Sequence, residues 1–191
     1  MHLFLSAVDD ERFLADELSR TVPGAAPVSL APGLLRAEFA PGDHEKLLLA
    51  FVRQCLPDAI ALKAPSINAW AAQLFDSIVA RVPEQQPWHL HIDAHYGAAG
   101  AGQNRCELIR ERLLELLGKK RRQLRRALVK EPQPFAPHHS LVQFLLTGPE
   151  EGFLSNAMAP LPYSWRAVLS PFPKGEVPIA EDKAAPSRAF T

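Results

Sequence analysis

The stretch Trp88–Ala94, WHLHIDA in one-letter code, says most about the fold. Apolar and polar side chains alternate along it without exception. Trp88, Leu90 and Ile92 occupy one face, and His89, His91 and Asp93 occupy the other. Strict alternation of this kind is typical of a β-strand with one face on a core and one polar face. The sequence therefore predicts a half-buried strand here.

A helix is predicted before this strand. Ser66 is a typical N-cap residue, and Pro83 marks the end of the pattern. Between them, apolar residues recur at helical spacing for four turns. They are Ile67, Trp70, Ala71, Leu74, Ile78 and Val82.

A second helical region is predicted after the strand. Residues 97–102 are all glycine or alanine, which favours a flexible loop. Asn104 is expected to cap the helix that follows, and Gly118 is expected to interrupt it. A further helical segment then runs to about Lys130. Two strands, Ser140–Leu146 and 152–159, complete this part of the chain.

The first third of the chain predicts a β-α-β-β-α-β order, which is that of a ferredoxin-like unit. The strands are expected over residues 1–8, 27–30, 34–39 and 59–64. The first helix is expected to be capped by Asp9 or Asp10 and to carry Phe13, Leu14 and Leu18 on one face. The second is expected to begin at Asp43 and to carry Leu47, Leu48, Phe51, Val52 and Cys55. The predicted fold class is therefore α+β.

Composition excludes some classes of protein. With 47% hydrophobic residues in 191, the chain has the content of a globular protein. No apolar run approaches the ~20 residues that a membrane span requires. Cys55 and Cys106 lie in apolar surroundings without metal-ligand spacing, which favours buried thiols in a reducing cytoplasm. The net charge is zero, so only the distribution of charge bears on a nucleic-acid partner.

Charge is concentrated in one segment, which we call the basic segment. It contains seven cations and no acid: Lys119, Lys120, Arg121, Arg122, Arg125, Arg126 and Lys130. Wound as a helix, it presents most of these cations on one arc, with Leu124, Ala127 and Leu128 opposite. Guanidinium groups on a rigid element suit phosphate oxygens. The alternative is a solvated helix face paired with Glu107, Glu111, Glu115 and Glu131.

The histidines suggest a metal site, but only weakly. His89, His91, Asp93 and His95 fall on one face of the predicted strand, and neighbours at that spacing can share a zinc ion. No second ligand-bearing element is evident in the sequence. A polar outer face explains the same pattern, so no metal is predicted.

Catalytic motifs are missing from the sequence. It holds no Gly-x-Gly-x-x-Gly loop after a strand and no Gly-x-Ser-x-Gly nucleophile elbow. No cofactor and no catalytic residue are therefore predicted within residues 1–191.

The end of the chain carries a short distinctive motif. Residues 185–191 read Ala-Pro-Ser-Arg-Ala-Phe-Thr, after a proline-rich stretch without periodicity. This ending resembles the entry motif of FtsJ-like ribose methyltransferases, in which Ser-Arg-Ala and an aromatic residue precede Lys-Leu. The helix–strand–helix–strand–strand order behind a ferredoxin-like unit resembles the THUMP region of RNA-modifying enzymes. Together they resemble the large-subunit ribosomal RNA cytidine 2′-O-ribose methyltransferases of the M type.

The resemblance implies a domain organisation. Residues 1–65 would form the ferredoxin-like domain and 66–160 a THUMP-like RNA-binding domain. Residues 161–191 would form a linker and the start of an FtsJ-like catalytic domain. The longer parent protein would use S-adenosylmethionine and act on ribosomal RNA in the cytoplasm.

Two functions remain open. The chain could be the RNA-binding front region of such an enzyme, placing ribosomal RNA for a downstream domain. It could instead be a non-catalytic interaction or regulatory domain of ferredoxin-like type, whose basic helix binds an acidic protein.

We expect residues 1–191 by themselves neither to transfer a methyl group nor to bind S-adenosylmethionine. The glycine-rich cofactor loop is missing from the sequence, and so is the Lys that the family motif places after Thr191. A cation of that kind stabilises the developing alkoxide during ribose methylation. Calorimetric titration with the cofactor tests this, and clear micromolar binding would contradict it.

Overall fold

The structure, a computed structural model, describes residues 1–39, 47, 49–96, 101–130 and 139–155. Its strands form two four-stranded sheets. The first unit comprises β1 (His2–Leu5), α1 (Glu11–Thr21), β2 (Val28–Ala31), β3 (Leu34–Ala37) and β4 (Gln54–Leu56). The second comprises β5 (Ala59–Lys63), α2 (Ile67–Arg81), β6 (Trp88–Ala94), α3 (Ala101–Lys120), α4 (Arg122–Ala127), β7 (Ser140–Leu146) and β8 (Glu151–Ser155).

The first sheet has the strand order β2-β3-β1-β4, and every neighbouring pair is antiparallel. This is the order of a ferredoxin-like sheet. Helix α1 buries Leu14 and Leu18 against Phe4 and Leu35, and none of these four side chains is more than 2% exposed. The predicted α+β class, with a ferredoxin-like unit followed by a THUMP-like α/β unit, is confirmed.

Two details of the first helix differ from the prediction. Asp10 occupies the N-cap position, but its side chain makes no capping hydrogen bond, and a turn of 3-10 helix over Val8–Asp10 precedes α1. Phe13 does not face the core. Its side chain is 53% exposed and stacks on Phe51, with 5.3 Å between the ring centroids. The apolar face of α1 is therefore narrower than the spacing suggested.

The fourth strand of the first sheet is not the one that was predicted. Residues 59–64 were expected to close this sheet, but Ala59–Lys63 pairs with β8 in the second sheet. Strand β4 takes that position beside β1, and it contains Cys55, which was expected in a helix. All three residues of β4 are buried, although β4 is an edge strand of the first sheet. Asp58, with a φ of 48°, lies in the turn between the two sheets.

The predicted second helix of the first unit lies mostly outside the described residues. Phe51 and Val52, which are described, are not helical.

The second sheet has the order β5-β8-β7-β6. Strands β6 and β7 are parallel, so the chain crosses over between them through α3 and α4, and the other pairs are antiparallel. Helix α2 begins as predicted, because Ser66 Oγ accepts a hydrogen bond from the Ala69 amide at 3.2 Å. Helices α2 and α3 pack on one face of the sheet and share a core with it. Its largest members include Trp70, Leu74, Ile109, Leu113 and Phe144.

Strand β7 is buried on both faces. Val142 and Phe144 face the core beneath the helices. Leu141 and Leu145 belong instead to clusters with first-unit side chains such as Phe4 and Leu3. The first unit therefore covers the face of the second sheet that the helices leave open.

This covering corrects the prediction for β6. His89, His91 and Asp93 were expected on a polar outer face, but each is at most 5% exposed. Their partners in the parallel register are alternate residues of β7, beginning with Leu141, and these pack against the first unit. Strand β6 is thus buried on both sides, although its sequence alternates.

Helix α3 begins earlier and ends later than predicted. It starts at Ala101, so Asn104 lies inside it and is not its cap. A Cβ on Gly102 would lie 2.7 Å from both Ala94 Cβ and Tyr96 O, so only glycine allows the helix this close to β6. Gly118 lies within the helix and does not interrupt it. Of the predicted glycine-alanine loop, residues 97–100 lie outside the described residues.

The buried pair Gln54 and Gln143 tests the contact between the sheets. Gln54 Nε2 donates to Gln143 Oε1 at 3.1 Å, which joins β4 to β7. Replacing either by Leu leaves a buried amide without its partner and should lower the free energy of unfolding by ~1–3 kcal/mol. The double variant Gln54→Leu/Gln143→Leu should recover most of that loss. Urea unfolding of all four proteins measures the coupling, and strictly additive losses would contradict the contact.

Candidate nucleic-acid interface

The predicted cations follow one another through the end of α3, along α4 and into the segment after it. They are Lys119 and Lys120 in α3, Arg121 between the helices, Arg122, Arg125 and Arg126 in α4, and Lys130 beyond it. Arg125 is half-buried and the other six are exposed. The segment is not one continuous helix as predicted. The backbone leaves helical geometry at Arg121, with φ −143° and ψ 65°, and α4 ends at Ala127.

Trp88 attaches α4 to the second sheet. Its fully buried indole donates a hydrogen bond from Nε1 to the Leu124 carbonyl at 2.9 Å. The Trp88 carbonyl accepts a hydrogen bond from the Val129 amide, also at 2.9 Å. The Leu124 side chain is itself completely buried. The segment that carries the cations is therefore held at its middle and near its C-terminal end by one residue of β6.

Few of the cations have a charged or aromatic partner in the described part of the chain. Arg121 Nε lies 4.0 Å from Glu84 Oε1, and Lys120 Nζ lies 5.6 Å from the centre of the Phe75 ring. Within the described residues, no carboxylate lies within 4 Å of the charged groups of Arg122 or Arg126.

The alternative based on neighbouring glutamates finds little support. Glu115 pairs with Arg112 at 2.6 Å and not with the basic segment. Glu131 lies outside the described residues. Among the described residues, no glutamate lies within 4 Å of Arg122, Arg125 or Arg126, the three cations of α4.

A cleft lies beside the basic segment, between α3, the start of β6 and the chain after α4. Its volume is about 240 Å³. Eight residues line it: His89, Leu90, Arg110, Leu114, Arg125, Leu128, Val129 and Lys130. Two of the predicted cations, Arg125 and Lys130, thus line the same cleft as Arg110 of α3. Sequence reasoning missed Arg110 because it lies among acidic residues, with Glu111 next to it.

The two histidines of β6 are neutral at neutral pH. His89 Nε2 lies 2.8 Å from His139 Nδ1, so one ring nitrogen donates and the other accepts. Burial, with His139 nearby, lowers the pKa of His89 to about 4. Burial, with His89 and Arg110 nearby, lowers the pKa of His91 to about 3. In the parts of the chain that the structure describes, no three His, Cys, Asp or Glu residues are grouped as a metal site requires.

The cysteines are not activated for nucleophilic chemistry. Both are free thiols and both are buried. Burial raises the pKa of Cys55 well above its usual value, and it raises the pKa of Cys106 to about 12. A thiol acts as a nucleophile only as the thiolate, so neither residue is a candidate for catalysis.

The substitution Trp88→Phe tests whether the Trp88 indole fixes α4 to the second sheet. It removes the indole donor and part of the buried volume, and it should lower the free energy of unfolding by ~1–3 kcal/mol. We also expect faster amide exchange in residues 122–128. Trp70→Phe is the matched control, because Trp70 is equally buried and its indole donates to the Pro149 carbonyl at 3.3 Å. Equal exchange rates in α4 for the two variants would contradict the role of Trp88.

The buried histidines predict a pH dependence of stability. Their folded pKa values of about 4 and about 3 lie below the ordinary value of 6.5. At pH values between the folded and the ordinary pKa, the histidines of the unfolded chain bind more protons than those of the folded chain. The free energy of unfolding therefore falls as the pH drops below about 6.5. The slope approaches ~1.4 kcal/mol per pH unit for each histidine.

Urea unfolding at several pH values from neutral to about 5 measures that slope. The variant His91→Gln should show a shallower dependence than the parent, because one titrating group is gone. Identical slopes would mean that His91 is not buried in its neutral form.

Comparisons with known proteins identify similar folds. No protein-family model matches the sequence, and no curated protein matches it significantly. A predicted N6-adenine-specific DNA methylase from Listeria monocytogenes str. 4b F2365 matches with a TM-score of 0.52 and 11% identity, over 80% of this chain and 39% of that one. A possible methylase from Clostridium difficile 630 matches with a TM-score of 0.53 and 9% identity, over 80% and 40%.

A third match is SMU.472, assigned as a methyltransferase and crystallised with SAH. Its TM-score is 0.51 at 10% identity, over 80% of this chain and 40% of that one. At these identities the likeness is one of fold. The chain spans about two fifths of the length of these structures. The described residues also include no helix long and apolar enough to cross a membrane.

Proposed function

We propose that this chain is an RNA-binding region that places RNA for a downstream S-adenosylmethionine-dependent methyltransferase domain. The observation that carries the proposal is the basic segment, whose exposed cations stand on an element fixed to the second sheet by Trp88. The RNA-contacting residues are Lys119, Lys120, Arg121, Arg122, Arg125, Arg126 and Lys130.

The physical argument rests on the rigidity and the charge of this surface. Arginine forks on a fixed element can each grip two phosphate oxygens with little loss of side-chain freedom. Contacts of this kind position a nucleic acid and do not read its bases. Structured RNA is recognised mainly through its shape and backbone, so a fixed row of cations suits a folded RNA.

Two observations support the link to methylation, namely the structures with a similar fold and the sequence of residues 185–191. The three structures with a similar fold are described as methylases or methyltransferases, and one of them contains SAH. Residues 185–191 resemble the entry motif of FtsJ-like ribose methyltransferases. The finer proposal is that the parent protein is a cytidine 2′-O-ribose methyltransferase of large-subunit ribosomal RNA, active in the cytoplasm.

The domain division belongs to the same proposal. Residues 1–65 form the ferredoxin-like domain, 66–160 the THUMP-like domain, and 161–191 the linker and the start of the catalytic domain. The pairing of Ala59–Lys63 with β8 favours moving the first boundary to the turn before Ala59.

Neutralising part of the basic segment tests the proposal. The triple variant Arg121→Gln/Arg122→Gln/Arg126→Gln should bind large-subunit RNA fragments more weakly, nearly regardless of their sequence. Each phosphate contact that is lost should flatten the slope of log K against log salt by ~0.7 in single-stranded regions, so the slope should fall by ~2. Titrations at several salt concentrations measure both quantities.

The matched control is Arg12→Gln/Arg20→Gln/Arg53→Gln, which removes the same charge from exposed positions of the first unit. It should leave the slope nearly unchanged. Equal effects of the two triple variants would show that only net charge matters. An unaffected slope in the first variant would contradict RNA binding by this segment and favour the acidic protein partner.

A further inference from the structure

The cleft beside the basic segment is lined by both charged and apolar residues. Arg110, Arg125 and Lys130 supply the charge. Arg110 comes from α3, Arg125 from α4 and Lys130 from the chain beyond it, so three separate elements bring cations to one small space. The apolar part of the lining consists of Leu90, Leu114, Leu128 and Val129.

Within the described residues, no carboxylate lies within 4 Å of Arg110, Arg125 or Lys130. Arg110 and Arg125 are half-buried, so water screens their mutual repulsion less than it would on an open surface. His89 adds no charge at neutral pH, because burial lowers its pKa to about 4. Three cations around one cleft, with no carboxylate of the described part of the chain within 4 Å of them, favour binding of an anion such as phosphate.

The apolar residues of the cleft are held in place by the core and by backbone contacts with Trp88. Leu90 is 3% exposed and belongs to the core of the second unit. Leu128 forms a parallel bridge with Trp88, and the Val129 amide donates to the Trp88 carbonyl at 2.9 Å. This wall therefore keeps its shape when the cleft is empty. Apolar side chains next to cations suit an unstacked nucleobase, which other proteins also hold against apolar side chains.

The size of the cleft limits its occupant. Its volume of about 240 Å³ lies below the ~300–1,000 Å³ of pockets that enclose drug-sized molecules. A folded RNA segment cannot enter it, whereas one unstacked residue of that RNA can. Bases in loops and bulges are available for such contacts because they are already unpaired.

We propose that this cleft receives one unstacked nucleotide of the bound RNA. Its phosphate lies between Arg110, Arg125 and Lys130, and its base lies against the half-buried Leu114 and Leu128. The inference rests on the proposed RNA-binding function and adds a defined nucleotide site to it. Arg110 thereby becomes a binding residue, although it lies outside the basic segment.

The first experiment uses small probes and the chain as it stands. Cytidine 5′-monophosphate, cytidine and inorganic phosphate are titrated separately while leucine methyl resonances are followed by NMR. The monophosphate should shift the methyl signals of Leu90, Leu114 and Leu128. Cytidine should bind more weakly, since it lacks the phosphate, and inorganic phosphate should leave the leucine methyls nearly unshifted. No shift at these leucines with the monophosphate would overturn the proposal.

The second experiment uses matched variants. Arg110→Gln/Arg125→Gln/Lys130→Gln should weaken binding of the monophosphate about tenfold or more. The variant Arg12→Gln/Arg20→Gln/Arg53→Gln removes the same charge from exposed positions of the first unit, and it should leave that affinity unchanged. Equal weakening by both variants would show a general charge effect and would also overturn the proposal.

RNA titrations keep this inference separate from the proposed function. If RNA binds and the cleft variant binds it as tightly as the parent does, the nucleotide site is wrong while RNA binding stands. If the monophosphate binds in the cleft but large-subunit RNA fragments do not bind at all, the proposed function fails and the nucleotide site remains.

Discussion

The burial of β7 on both of its faces is the constraint on which the rest of the structure depends. One face packs under α2 and α3, and the other packs against the first unit. The two units therefore pack against each other through side chains of this strand. The buried amide pair of Gln54 and Gln143 lies in this contact. Burial of the β6 histidines follows from the same arrangement.

The same arrangement makes the basic segment rigid. Strand β6 is parallel to β7, so its position in the sheet is set along its whole length. Trp88 begins that strand and holds the chain at Leu124 and at Val129. The backbone that bears the cations is thus attached to the core, whereas on an isolated helix it would be mobile. A surface of this kind binds phosphates with a smaller loss of conformational freedom than a flexible tail would.

Local pattern predicted much of the fold. The cap at Ser66, the buried face of α2 and the strand Ser140–Leu146 all follow from spacing and capping chemistry within a few residues. The sheet to which Ala59–Lys63 belongs does not, because its partner β8 lies roughly ninety residues further along the chain. The alternation in β6 predicted one exposed face, because the sequence of the strand itself does not show that other parts of the fold will cover that face.

The candidate site was predicted only in part. The run of cations is visible in the sequence, whereas the break at Arg121 and the anchoring by Trp88 depend on tertiary contacts. Arg110 joins Arg125 and Lys130 only when α3 and the chain after α4 come together at β6. Among neighbouring glutamates, Arg110 looks like an ordinary residue of a solvated helix. A sequence pattern does not show that three cations from separate elements come together in the folded chain.

The central claim is that RNA contacts this chain through the basic segment fixed by Trp88. Amide hydrogen exchange, measured with and without a large-subunit RNA fragment, tests it most directly. The account predicts slower exchange in residues 119–130 and in the turn of α3 around Arg110, with the first sheet unchanged. Protection confined to α1 or to the β2–β3 hairpin, with the basic segment unaffected, would contradict it.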